Sequence, residues 1–177
     1  MTLVLVRHSE VIEQYRGRYN GHIDIPLSQK GLQDAQSLGK QLQPYNFDAL
    51  YCSDLRRAKE TLAQFQLPNK PIYTKQLREK SWGKHEGMSF EEIEATGLRY
   101  TTFNEWINLL GGESLKGFTT RIENFFFKEL QQQDLDTVLI VTHSGVIKTL
   151  LGIKANLGLE ESFAQTLKYS SVTKLLL

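Results

Sequence analysis

The stretch "LVLVRHSE", residues 3–10, decides how this chain is read. Four apolar residues, Leu3 to Val6, run straight into a cation, Arg7, and an imidazole, His8. An apolar run of this length, without alternation, fits a strand covered on both faces. A second run, "TVLIVTHSGVIK" at 137–148, repeats the arrangement and carries His143 at its end. In open α/β sheets, ligands bind beyond the carboxyl ends of the strands. Two histidines at two such ends therefore predict one shared cleft.

The rest of the chain alternates around these two runs. A strand at 2–7 is followed by an irregular loop at 9–30, long enough to suggest that it carries function. Leu32, Ala35, Leu38, Gly39 and Leu42 make a helical stripe after Gly31. "DALYC" (48–52) reads as a short strand, and Ser53 as the cap of a helix running to about 65. "PIYT" (71–74) is another short strand. Ser89 with Glu92 three places on has the form of a capping box. Helices are expected at 99–110, 114–133 and about 145–152, and one or two strands in the tail "TLKYSSVTKLLL". This order predicts a three-layer α/β/α sandwich with a mainly parallel central sheet, formed as one domain over residues 1–177.

Bulk properties narrow the function. The chain has 177 residues, 40% of them hydrophobic, which is enough for an ordinary core. A net charge of +1 gives no field that would recruit nucleic acid or an anionic membrane. No apolar run approaches the roughly 20 residues that span a bilayer, and the expected location is cytoplasmic. The single cysteine, Cys52, reads as a small buried hydrophobe and excludes an intrachain disulfide. Neither H-E-x-x-H nor paired cysteines are present, so no metal site is expected, and the P-loop and dinucleotide glycine patterns are missing too.

Two further segments concentrate chemistry. In "YCSDLRRAKETL" (51–62), Arg56 and Arg57 fall in the first turn of the expected helix. Cations there oppose the helix dipole. Solvent can absorb that for one arginine, and a bound anion would account for the other. In "LREKSWGKHEG" (77–87), Glu79 lies in a loop, where a carboxylate beside Arg78 is by itself an ordinary solvated charge.

Taken in order, these pieces resemble the histidine phosphatase superfamily, the phosphoglycerate mutase-like phosphatases. "VRHSE" stands for the family's Arg-His-Gly-Glu opening, and "GHIDIPLSQKGLQDAQ" (21–36) for its Asp-x-Pro-Leu segment. "SDLRRAKET" matches its Ser-x-Leu-x-Arg-Ala-x-x-Thr, "LREKSWGKHEG" the segment with its acidic residue, and "VTHSGVIK" its second histidine. The resemblance implies a metal-independent phosphomonoesterase without a cofactor. In it, His8 is the nucleophile that becomes a phosphohistidine, and Glu79 is the general acid and then the base. Arg7, Asn20, Arg57 and His143 would hold the phosphoryl oxygens. Arg7 and Arg57 should keep His8 unprotonated by disfavouring the imidazolium.

The chain departs from the family at several places. Ser9 stands for the usual glycine, Val11 for a threonine, Gln14 for an asparagine, and Ser144 for a glycine after the second histidine. Serine at position 9 would be strained if its backbone were left-handed; the expected alternative is a hydroxyl that donates to the phosphate. His22 and His85 are expected to be surface or structural residues.

Family mutases carry a basic insert before the second histidine. Residues 88–113 here hold one basic residue, Arg99, which favours a phosphatase over a mutase. A phosphate-binding protein without turnover is the third reading, and the intact charged set argues against it. The compact length, "YNGHIDIPL" (19–27) and "GGES" (111–114) look similar to bacterial α-ribazole phosphatases. That resemblance implies a small phosphorylated metabolite as partner, α-ribazole 5′-phosphate of cobalamin assembly. Trp82, Trp106, Tyr15 and Tyr19 are either core or a surface on which an aromatic base could stack.

Overall fold

The computed structural model describes residues 1–177. Its centre is a five-stranded sheet in the order β3-β2-β4-β1-β5. β1 (Thr2–Arg7) and β4 (Thr137–Thr142) lie side by side and parallel, with Arg7 opposite Thr142. β2 (Ala49–Ser53) and β3 (Ile72–Thr74) continue the parallel set, and β5 (Val172–Leu176) pairs antiparallel with β1 at the edge. The two apolar runs are thus the two central strands. Because they are adjacent and parallel, His8 and His143 emerge at the same end.

Side-chain alternation splits the core into two layers. Leu3, Leu5, Val138 and Ile140 face α5 (Leu115–Glu123) and α6 (Ser144–Ala155) through Phe118, Ile122, Val146 and Leu150. Val4, Val6, Leu139 and Val141 face α1 (Gln29–Leu42) and α2 (Arg56–Ala63) through Ala35, Leu38, Ala58 and Leu62. Helices on both faces of a mostly parallel sheet make the expected three layers. Gly39 lets the two helices of the second layer close up, since a Cβ there would lie 2.6 Å from the Phe65 Cα. A smaller cluster of Trp82, Ile93, Trp106, Ile107 and Leu110 joins α3 (Phe90–Glu94) and α4 (Phe103–Leu109) into a cap beside the sheet's carboxyl end. The capping box of Ser89 and Glu92 is present at the start of α3.

Several boundaries differ from the sequence reading. Ser53 does not cap α2; Leu55 holds the N-cap position, and the Arg56 N–H donates to Asp24 Oδ1 of the long loop at 2.6 Å. The helix expected over 99–110 begins at Phe103, after Thr102 accepts from the Glu105 N–H. The long helix expected to 133 is α-helical only to Glu123 and continues as a π-helical segment, Asn124–Leu130, in which the adjacent Phe125 and Phe126 are both buried. A short helix, α7 (Leu159–Ala164), was not expected, and the tail forms one strand. No helix is long and apolar enough to cross a membrane.

Candidate active site

His8 follows the last residue of β1 and is 6% exposed. Its Nδ1 lies 2.8 Å from the Ser9 carbonyl oxygen. A carbonyl only accepts, so Nδ1 carries the proton and Nε2 keeps a free lone pair. Burial, and then the charges of Arg57 and Arg7, hold the imidazole well below its ordinary pKa. Burial is the larger cause, beyond the two arginines that sequence alone suggested.

The His143 ring lies 5.1 Å from that of His8, centroid to centroid. Its Nε2 is 2.8 Å from Ser53 Oγ, which also accepts weakly from the Leu55 N–H. Either group can donate across this contact, and the ring's other nitrogen is Nδ1. That Nδ1 is buried without a partner. Burial, then Arg57, His8 and Arg7, push the His143 pKa well down, so both imidazoles are neutral.

Arg57 is 1% exposed at the start of α2. Its Nη1 donates to the Ile23 carbonyl, and its Nη2 to those of Asn20 and Gly21, at 2.7–3.0 Å. Its Nε has no partner, nor does the Nε of Arg7. Burial lowers the Arg57 pKa to about 10, against the pull of Glu79, Glu86 and Asp24. Arg7 donates through Nη1 to the Leu167 carbonyl and stacks on Tyr169. Two guanidinium Nε–H groups are thus buried donors in search of an acceptor, and one imidazole nitrogen, His143 Nδ1, is buried unpaired beside them.

Glu79 accepts the Lys80 N–H on Oε1 at 3.0 Å and the Gly145 N–H on Oε2 at 2.9 Å. Gly145 lies in the first turn of α6, whose positive dipole end suits a carboxylate. Arg7, His8, Asn20, Glu79, Ser144, Tyr19, Trp82 and Tyr169 line a cavity of about 180 Å³.

Residues 3–177 match the histidine phosphatase superfamily (branch 1). The chain belongs to this family. It is 31% identical over 159 residues to the adenosylcobalamin/alpha-ribazole phosphatase of Escherichia coli K12, covering 85% of this chain and 77% of that one. It is 31% identical over 160 residues to a metal-independent phosphoserine phosphatase of Arabidopsis thaliana, covering 84% and 66%. Its fold matches the alpha-ribazole phosphatase of Shigella flexneri with a TM-score of 0.82 at 26% identity, covering 98% and 89%. This histidine phosphatase is a phosphoric monoester hydrolase.

The six residues singled out from sequence, Arg7, His8, Asn20, Arg57, Glu79 and His143, gather at one end of the sheet. They do not all reach the cavity. Arg57 and His143 stand behind His8 and are absent from its lining, while Arg7, His8, Asn20 and Glu79 face it. Asn20 spends one Nδ2 hydrogen on the Tyr15 carbonyl and keeps a buried Oδ1 without a partner.

Ser9 needs a correction. Its φ is not left-handed, so serine is not strained there. Nor does its hydroxyl face the phosphate end: it is fully buried and lies 2.7 Å from Ser170 Oγ, while its N–H donates to Thr61 Oγ1. Cys52 is buried as expected, and burial pushes its thiol pKa far up. His85 is a core residue on the Leu110 carbonyl. Trp82 and Trp106 are 7% and 5% exposed, so both are core, although Trp82 and Tyr19 also show a face to the cavity.

Sequence reasoning missed the groups that hold this histidine phosphatase's site together. Glu86 accepts the N–H groups of Gly21, His22, Ile23 and Trp82 at 2.8–3.1 Å. The same loop gives its carbonyls to Arg57. The loop is therefore threaded between a carboxylate that takes its donors and a guanidinium that takes its acceptors. His22 donates from Nε2 to the Glu79 carbonyl at 3.0 Å, so it is a support for Glu79 and not a surface residue. The one legible signal was the His-Glu-Gly at 85–87, within the segment that Glu79 already drew attention to.

Proposed function

We propose that this histidine phosphatase hydrolyses phosphomonoesters without a metal through a phosphohistidine on His8, with α-ribazole 5′-phosphate as its substrate. The observation that carries the mechanism is the His8 tautomer. Because Nδ1–H is spent on the Ser9 carbonyl, Nε2 is free to attack and is neutral at physiological pH. Arg7 lines the cavity with N–H groups that have no acceptor, and a phosphoryl group there supplies one, while the Arg57 guanidinium adds its charge from behind His8. Phosphoryl transfer is positioning plus electrostatics, which such fixed donors provide. Asn20 adds an amide at the same end.

In the first step Nε2 bonds to phosphorus and the ester P–O bond breaks. Glu79 passes a proton to the departing oxygen. In the second step Glu79 takes a proton from water, the water oxygen bonds to phosphorus, and the N–P bond breaks to release inorganic phosphate. Each Glu79 oxygen has one backbone N–H and keeps a lone pair for the proton.

The substrate reading rests on the outer wall. Tyr19, Trp82 and Tyr169 offer apolar faces for a planar base. The cation on this wall, Arg18, is engaged by Glu92 and the Gly87 carbonyl, so no free charge is set for a second anionic group. Arg99, the one basic residue of 88–113, lies outside the cavity, which speaks against mutase chemistry. The similarity to an enzyme named for alpha-ribazole adds to this reading.

The test is a panel of phosphomonoesters containing α-ribazole 5′-phosphate, phosphoserine and 3-phosphoglycerate, run with a chelator present. Acid quench should trap a labile phosphohistidine that is missing from His8→Ala. The highest kcat/KM should fall on α-ribazole 5′-phosphate. A preference for phosphoserine would overturn the substrate. Turnover that needs added divalent metal, or that persists in His8→Ala, would overturn the mechanism.

A further inference from the structure

The segment between α7 and β5, residues 165–171, runs alongside Arg7, His8 and Ser9 and contacts each of them. The Leu167 carbonyl accepts from Arg7 Nη1, and the Ser171 carbonyl accepts from the Arg7 backbone N–H. The Ser170 N–H donates to the His8 carbonyl at 3.4 Å. Ser9 Oγ and Ser170 Oγ share a hydrogen bond of 2.7 Å. Between these ties stands Tyr169. Its ring centroid is 4.0 Å from the Arg7 Cζ and 5.6 Å from the centre of the His8 ring.

Ser170 adopts φ +57°, a left-handed conformation that serine seldom takes. Such a residue persists where its surroundings over-determine it, and these conformations gather at functional sites. Here the surroundings are the His8 carbonyl and the Ser9 hydroxyl. The Ser9 hydroxyl exists only because serine stands where the resemblance predicts glycine. The strained turn puts Tyr169 face-on to Arg7.

We propose that Tyr169 is a positioning residue for phosphate binding: its ring, set by the Ser9–Ser170 tie, holds the Arg7 guanidinium so that its unused N–H groups serve the phosphoryl group. This rests on the reading of Arg7 as a phosphoryl ligand. Arginine has many rotamers, and Arg7 has no carboxylate partner to fix it. Leu167 fixes Nη1 from one side and the Tyr169 face covers the plane, which leaves Nε and Nη2 as the groups still to be used.

The experiment is inorganic phosphate as a competitive inhibitor of p-nitrophenyl phosphate hydrolysis by the whole protein, with melting temperatures alongside. Tyr169→Phe keeps the ring and should stay within about 2-fold of the wild type. Tyr169→Leu should weaken phosphate by roughly 10-fold, the scale of a desolvated cation–π contact. Arg7→Lys should weaken it too, and the double variant should bind no worse than Arg7→Lys alone, because the tyrosine acts through the arginine. Additive losses, or a folded Tyr169→Leu with wild-type phosphate affinity, would overturn the proposal. Should Tyr169→Leu not fold, Ser9→Ala takes its place. Cutting the tie should cost several-fold in phosphate affinity, and no change would overturn it. A wild type with no saturable phosphate inhibition would instead overturn the phosphoryl-site reading itself.

Discussion

Gly145 and Glu79 occupy space that only a glycine can leave free: a Cβ on residue 145 would lie 2.1 Å from Glu79 Oε1. The carboxylate also accepts the Gly145 N–H. Gly145→Ala should therefore swing Glu79 out of place while leaving His8 and the arginines untouched. Hydrolysis of alkyl phosphates should fall by roughly the 10²–10⁴-fold that a general acid contributes. An alanine variant with wild-type kcat on an alkyl ester would show that Glu79 needs no such placement.

Glu79→Gln separates acid catalysis from binding. An aryl leaving group with a low pKa departs without a proton, and an alkoxide does not. The variant should lose far more rate on an alkyl phosphate than on p-nitrophenyl phosphate. Equal losses on both would remove Glu79 from the role of acid.

Glu86→Gln should act on the loop and not on the reaction directly. Glutamine can accept fewer of the four N–H groups that Glu86 takes, and the loop that positions the Arg57 guanidinium should loosen. Hydrogen bonds to a charged acceptor contribute about 1.5–3 kcal/mol each, so the melting temperature should drop along with phosphate affinity. Amide exchange at residues 21–23 should rise. An unchanged exchange rate there would mean that the loop is held by other contacts.

His8 and His143 are both held well below the ordinary histidine value of 6.5, first by burial. Above pH 6.5 the imidazoles are neutral in folded and unfolded chains alike, and they do not influence stability. Below it the unfolded chain binds protons that the folded one refuses, so stability is lost progressively as pH falls toward the folded values. Each group contributes a slope of up to about 1.4 kcal/mol per pH unit. Denaturant unfolding from pH 7.5 to 5 should show a shallower slope in His143→Gln than in the wild type. Identical slopes would rule out His143 as a proton-linked group. The acid limb of kcat/KM should likewise fall below pH 6.5, because Nε2 stays unprotonated there.

What the sequence made legible follows from periodicity. Two apolar runs ending in histidine announce buried parallel strands, and parallel neighbours put their ends together, so His8 and His143 could be placed from the residues alone. Glu79 became visible only by resemblance, since a loop carboxylate beside an arginine has no signature of its own. Ser53 was misread for a good reason. A serine between a strand and a helix is by default a cap, and only the fold brings His143 within 2.8 Å to claim its hydroxyl. Ser9 was misjudged because the phosphate looked like its natural partner, while the competing hydroxyl of Ser170 is 161 residues away in sequence. Glu86 and Tyr169 act through contacts of that long range, which no local pattern encodes.

The order of the strands gives this protein a timetable. The strand that carries the nucleophile is made before both of its neighbours in the sheet, which come from residues 137–142 and 172–176. A ribosome adds about 5–20 residues per second, so Arg7 waits roughly 8–30 seconds for Leu167, its partner 160 residues on. Until residues 137–142 are made β1 has both edges bare, a state in which an apolar strand invites mispairing. A nascent chain stalled before residue 137 should therefore be inert as a catalyst and dependent on chaperones for its solubility.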